Sequence, residues 1–416
     1  MKIAYLVSRF PVVSETFVVR EIDAVSARPG LEVELRALYP PKAEGMVQPI
    51  SAPWVPRVLR PAPAAALAAV GWWAARRPLR LARTLATVVA GHARHPHELV
   101  RALATFPVAA WHARDLLATG ADHVHAHFAH YPALTAWIAH ELTGVSYSFT
   151  AHANDIFAHH AMLARKASDA RFVAAISAYN RDYLRARGAR APVYVVRCGV
   201  DPAAYPFATP APANGEPPRV LCVAGLREYK GQDVLLRAVA QAPPRLARAH
   251  VDLVGDGELR AELEALAGRL GISDRVTFHG SLPVPAVAAM LRSSHVFVAP
   301  SVVAADGDMD GVPVALMEAL AAGVPSVSTR LSGIPELVQH ERTGLLAEPG
   351  DPAALAAALE ATLADPDAAR ERAAAGRALV EREFDQRRSA EALAAHFAAA
   401  GRAPNGAPAA PGEAPS

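Results

Sequence analysis

The stretch Asp310-Gly311-Val312-Pro313-Val314-Ala315-Leu316-Met317-Glu318 decides how this chain is read. It sets two carboxylates eight residues apart, with a Gly-x-Pro turn beside the first. Pro313 suits the first turn of a helix, because the N–H it lacks would have no partner there. Upstream, His295-Val296-Phe297-Val298-Ala299-Pro300 reads as a buried strand. The order is therefore strand, polar loop, helix. The first amides of a helix have no intrahelical acceptor and lie at its positive end. Such a loop is a seat for an anionic or hydroxyl-rich ligand. Glu318 falls about a turn and a half into the helix, placed to accept hydrogen bonds from a sugar diol.

The same loop contains a decoy. Asp306-Gly307-Asp308-Met309-Asp310-Gly311 imitates the start of an EF-hand calcium loop. The twelfth position of such a loop should be a bidentate Glu, and here it is Met317. The incoming element is a strand where an EF-hand has a helix. Calcium is not expected. His152, His159 and His160 form a histidine group without a convincing fourth ligand, so zinc is not expected either.

At 416 residues the chain is too long for one core and suits two domains of about 200 residues each. Alternating β-like and α-like segments with many glycine turns point to α/β layers. A formal charge of +2 is too small to make nucleic acid a general partner. Cys198 and Cys222 make no disulfide framework and fit a reducing cytoplasm. The opening Met1-Lys2-Ile3-Ala4-Tyr5-Leu6-Val7 reads as a first strand, not a signal peptide. The expected layout has a first domain over 1–200 with a basic helical insertion over 54–118. A Pro-rich linker over 201–218 follows, then a second domain over 219–385. A final helix over 386–400 comes next, and a Pro/Ala/Gly-rich tail, 401–416, is expected to be disordered. The region 367–397 reads as helical.

The insertion is unusual. Within its stretch 54–101, Arg57, Arg60, Arg76, Arg77, Arg80, Arg83, Arg94 and Arg101 face a single acidic residue, Glu98, and Trp72-Trp73 lies among small apolar residues. That mixture suits an in-plane anchor on an anionic membrane. It suits equally a helical insertion packed on the first domain with a solvated basic face. No apolar run reaches the roughly 18–20 residues of a spanning helix.

Together with Gly323-Val324-Pro325, Gly333-Ile334-Pro335-Glu336 and Thr343-Gly344-Leu345-Leu346, the opening stretch resembles glycosyltransferase family 4. These are retaining, nucleotide-sugar-dependent enzymes of GT-B architecture, so the resemblance implies two Rossmann-like, doubly wound domains facing a cleft, with the helix over 386–400 crossing back to the first domain. The family reads Glu where this chain has Asp310, a reach shorter by one methylene. Ala224-Gly225-Leu226-Arg227-Glu228-Tyr229-Lys230-Gly231 is similar to the family's diphosphate element. Lys230 aligns with the family Lys, and the family Arg falls on Gly225. Arg227, two residues on, would share a face with position 225 on a strand-like path. Val254-Gly255-Asp256-Gly257-Glu258 is half a dinucleotide fingerprint; Arg260 stands where the third Gly belongs, so no nicotinamide cofactor is expected.

Phe10-Pro11-Val12-Val13-Ser14-Glu15-Thr16-Phe17, His125-Ala126-His127-Phe128 and Phe149-Thr150-Ala151-His152-Ala153-Asn154-Asp155 are similar to the colanic-acid and exopolysaccharide subgroup. The resemblance implies catalytic roles for His152, Lys230, Asp310 and Glu318. It places the donor on Gly225, Arg227, Lys230, His279, Gly311, Val312, Pro313 and Glu318, with His279 in a loop holding the base. Ser14, Glu15, Thr16 and Asp155 face the acceptor. Glu15 reads equally as a first-turn helix charge, and Asp155 as an orienter of His152 or a cap. His127 reads as a strand-end structural histidine.

The implied reaction moves a sugar from a nucleotide-diphosphate sugar to a hydroxyl of a surface-polysaccharide or lipid-linked precursor, with retention and with neither metal nor cofactor. The expected location is cytoplasmic, peripheral on the inner membrane face. An epimerase of the same architecture, or a non-catalytic sugar-nucleotide-binding partner, are the other readings.

Overall fold

Parallel strands covered on both faces are near-continuous apolar runs, and most strands of this chain are of that kind. The structure is a computed structural model that describes residues 1–13, 15–41, 47–158, 160–207 and 216–402. It divides into two units: Met1–Val196 with Ala390–Ser416, and Arg197–Ser389. Ser14 lies outside the described residues, as do His159, part of the linker and the tail from 403 on.

The first unit is built on β1 (Lys2–Arg9), β2 (Glu32–Tyr39), β3 (His123–His127), β4 (Ser146–Ala151), β5 (Phe172–Ala175) and β6 (Val193–Val195). Their order is β2-β1-β3-β4-β5-β6, parallel throughout. Its core gathers Ile3, Tyr5, Val7, Ile22, Leu35 and Phe172, and Ala390, Leu393 and Phe397 of the last helix pack into it. The basic insertion forms helices Pro63–Arg76, Pro78–His92 and Pro96–Thr119. Trp73 is fully buried and donates its indole N–H to the carbonyl of Ala110 at 2.9 Å.

The second unit uses β7 (Arg219–Val223), β8 (His250–Val254), β9 (Val276–Gly280), β10 (Val296–Ala299), β11 (Ser326–Thr329) and β12 (Leu345–Ala347). The order β12-β11-β10-β7-β8-β9 is the dinucleotide-fold order counted from β7 as the first strand. The region 367–397 is not one helix. Pro366–Glu383 ends at Phe384, and Gln386–Arg402 begins two residues later. At the break the amide of Val200 bonds the carbonyl of Phe384 at 2.9 Å, and Gln386 returns a bond to Val200 at 2.9 Å. Gly199 permits this approach, since a Cβ there would strike the backbone of Gln386. Among the described residues no helix is long and apolar enough to cross a membrane.

Candidate active site

In an open parallel sheet, ligands bind beyond the carboxyl ends of the strands, where the order reverses. In the second unit that point lies between β7 and β10. The loop after β7 carries Lys230 and the loop after β10 carries Asp310; their side chains meet at 2.5 Å. The other Asp310 oxygen accepts from Ser301 Oγ at 2.5 Å. Burial works against the Lys230 charge, but the neighbouring Asp310 carboxylate outweighs it and holds the ammonium pKa above its ordinary value. Lys230 keeps 18% of its side-chain surface exposed.

Three glycines let the loops close to backbone contact. Gly231 sits at φ +65° with its would-be Cβ against the carbonyl of Pro300. Gly255, at φ +133°, lies against Ala224, and Gly257 against Leu226. Beyond Asp310, helix Val314–Ala322 begins at Pro313, which is its N-cap and not its first helical residue. The amides of Gly311, Val312, Val314 and Ala315 have no hydrogen-bond partner among the described residues. Glu318, buried on that helix, accepts a bond from the Tyr205 hydroxyl at 2.7 Å.

The first unit has its own reversal, between β1 and β3. His123, His125 and His127 project to one face of β3, as alternate strand residues must. Opposite them, β4 supplies hydroxyls. His123 meets Ser146 Oγ at 2.8 Å and Ser148 Oγ at 2.7 Å; His125 meets Ser148 Oγ at 2.8 Å and Thr150 Oγ1 at 2.9 Å. The last rung joins His127 Nδ1 to His152 Nε2 at 3.1 Å, and His127 Nε2 lies 3.0 Å from Glu21 Oε1. The Phe17 and Phe128 rings flank His152 at 4.9 and 4.7 Å. Burial drives the His152 pKa well below its ordinary value, so the ring is neutral.

Residues 217–365 match the family described as Glycosyl transferases group 1. That unit is a group 1 glycosyltransferase domain. Among curated relatives, the amylovoran biosynthesis glycosyltransferase AmsK of Erwinia amylovora is 38% identical over 194 residues, 47% of each chain. The putative colanic acid biosynthesis glycosyltransferase WcaL of Escherichia coli is 39% identical over 199 residues, 47% of this chain and 48% of WcaL. The chain thus spans about half the length of the curated relatives it matches. Among solved structures, Anabaena HepE in complex with UDP aligns at TM-score 0.72 and 19% identity, covering 96% of this chain and 100% of that one. Sucrose-phosphate synthase from Thermosynechococcus elongatus aligns at TM-score 0.69 and 21% identity, covering 96% and 98%. The fold is GT-B, with two Rossmann-like domains.

Within the matched residues Lys230 meets Asp310, and Gly311, Val312 and Pro313 follow Asp310 in the same loop. Other expected residues sit differently. Arg227 does not continue a strand: β7 ends at Val223, and the Arg227 amide turns back to the Gly225 carbonyl at 3.0 Å. Gly225 and Arg227 are both exposed. His279 lies within β9, not in the loop after it, and its Nε2 bonds the buried Asp252 at 2.8 Å. That carboxylate also takes Arg219 at 2.7 Å, so the imidazole serves the sheet.

In the first unit Asp155 is fully buried and its carboxylate is filled by backbone amides. Ala129 donates at 2.6 Å, Ala153 at 2.7 Å and His152 at 3.1 Å. It holds the His152 loop and has no free face for an acceptor. Glu15 is the N-cap of helix Thr16–Ser26 and makes no side-chain capping bond. Burial pushes its carboxyl up to about 7. The reading of His127 as merely structural missed its contact with His152. Glu21 and Tyr205 were missed altogether. Glu21 lies on the Thr16–Ser26 helix with no motif to mark it, and Tyr205 lies in the stretch read as linker.

Proposed function

We propose that the protein is a glycosyltransferase of surface-polysaccharide assembly, taking its sugar from a nucleotide-diphosphate donor. The observation that carries this reading is the Lys230–Asp310 pair at the strand-order reversal, beside open helix amides. A diphosphate needs a cation and directed N–H groups, and both stand there. Support also comes from relatives named for amylovoran and colanic acid biosynthesis, and from the UDP bound by HepE.

In the proposed reaction the acceptor hydroxyl oxygen attacks the anomeric carbon as the bond to the diphosphate breaks. The proton passes to a departing phosphate oxygen, so configuration is retained on a front-side path. Lys230 and the amides of Gly311 and Val312 stabilise the charge that grows on the leaving group. Glu318 takes the ribose diol and Asp310 a sugar hydroxyl. His152, a neutral ring, is assigned a hydrogen bond to the sugar at the reacting centre; Glu15 and Thr16 are assigned to the acceptor side. No metal or cofactor enters these steps.

The acceptor is proposed to be a glycan or lipid-linked glycan, met by peripheral contact with an anionic membrane inside the cell. All eight arginines of the insertion are exposed. Leu79, Val100 and Leu67 among them are 85%, 68% and 66% exposed, which supports an in-plane contact. A thermal-shift panel of nucleoside diphosphates tests the donor site: one should raise the melting temperature, and Lys230→Ala should abolish that rise. An unchanged rise in Lys230→Ala overturns the assignment. Co-sedimentation with anionic vesicles tests the membrane contact, and no binding removes it.

A further inference from the structure

Behind His152 stands a buried relay whose outer member, Glu21, lies in none of the quoted motifs and outside the matched family domain. Glu21 Oε1 lies 3.0 Å from His127 Nε2, and His127 Nδ1 lies 3.1 Å from His152 Nε2. Both imidazoles are buried, and their ring centroids stand 5.4 Å apart with planes 24° from parallel. Tyr5 donates its hydroxyl to the same Glu21 oxygen at 3.3 Å and stacks on His127 at 5.8 Å. The Asp155 carboxylate fixes the backbone of His152 from the other side.

The geometry points to Glu21 and His127 as positioning residues that set the tautomer of His152. A carboxylate only accepts, so it selects the His127 form with hydrogen on Nε2. The Nδ1 of a neutral His127 is then an acceptor and requires hydrogen on Nε2 of His152. Nδ1 of His152 is left as that ring's hydrogen-bond acceptor. The functional face of the histidine is thereby chosen by a helix residue two bonds away. Position 21 follows the first strand and 127 ends the third, so the fold brings them together where the strand order reverses. The alternative use of these groups is a metal, since Glu21, His125 and His127 offer ligand atoms within 4.8 Å of one another. Against that, His125 Nε2 already meets Thr150 Oγ1 at 2.9 Å, and His127 Nε2 is committed to Glu21.

This inference rests on the role given to His152 under the proposed function, and its test separates the two. Ring nitrogen-15 NMR of the full chain reads the tautomer without any assay of activity. In the wild type His152 should show a protonated Nε2 and an unprotonated Nδ1. Glu21→Gln should admit the other tautomer, because an amide can donate as well as accept. It should also lower kcat on the order of 100-fold with a KM change below about threefold. His127→Asn places an amide, which both donates and accepts, directly against Nε2 of His152 and should likewise admit the other tautomer. An unchanged His152 spectrum in Glu21→Gln overturns the relay, as does one equivalent of tightly bound zinc in the purified protein. Full activity in His152→Ala would instead sink the functional reading and leave the tautomer result standing.

Discussion

The two units solve the same problem in opposite ways. Each buries polar side chains at the point where its strand order reverses. The first uses a hydrogen-bonded ladder: three histidines and three hydroxyls in register, closed by His152 and the Glu21 carboxylate. The second uses charge: a lysine and an aspartate with a serine behind them. An ion pair sets two opposite charges beyond the strand ends. A buried ladder of rings and hydroxyls sets hydrogen-bond direction and has its carboxylate, Glu21, at one end. The contrast fits a division of labour in which one unit manages charge and the other manages hydrogen-bond geometry.

The sharpest way to break this contrast is to remove the cation. Lys230→Met should reduce sugar transfer at least about 1,000-fold, about 4 kcal/mol of transition-state stabilisation. Near-normal transfer from the nucleotide-sugar, followed by product release, would show that the pair is only structural. The ladder fails differently. Ser148→Ala strips a partner from both His123 and His125, and should destabilise the first unit by about 3 kcal/mol in urea melts. A loss below about 0.5 kcal/mol would mean the ladder is not a connected network.

Acid should separate the units next. Burial pushes the His112 and His123 pKa values down to about 3, and those of His125 and His152 well below the ordinary value. Each takes up a proton in the unfolded chain below about 6.5 but not in the fold, so stability is complete above that pH and lost as pH falls. At pH 5 His112 and His123 each cost about 2 kcal/mol. Glu15, raised to about 7, works in the opposite direction between its ordinary 4.5 and 7 and offsets about one histidine. Unfolding of the first unit, followed by its own tryptophans, should therefore move to lower urea between pH 7 and pH 5. An unchanged midpoint would contradict buried neutral rings. The smallest effect is expected at Gly225→Ala, where a Cβ meets only the Asp256 carbonyl at 3.7 Å; melts should shift by less than about 0.5 kcal/mol.

Much of this was legible beforehand. Strand Glu32–Tyr39 and helix Gln232–Ala240 fall at the bounds their apolar patterns give, because each is a single-period segment bounded by turn residues. The Asp310–Glu318 stretch announced a strand, loop and helix, and Lys230 was recognisable from Lys-Gly before a helix. Arg227 and His279 were misplaced for a common reason. Both lie where a strand ends, and a shift of one or two residues there changes which way a side chain points. Asp155 was ambiguous because a short carboxylate beside a turn can face a ligand or its own backbone.

Length and the alternating segments alone pointed to two domains of α/β layers, since hydrophobic spacing is a local property, and the doubly wound arrangement was implied by the family resemblance. They also located the carboxylates and the lysine of the second unit, because loop chemistry is written in short contiguous runs. That Lys230 neutralises Asp310 across 80 positions, and that Glu21 governs a histidine pair 106 and more residues away, was decided only by tertiary structure. Partners so distant are chosen by strand order, and strand order is a property of the packed sheet.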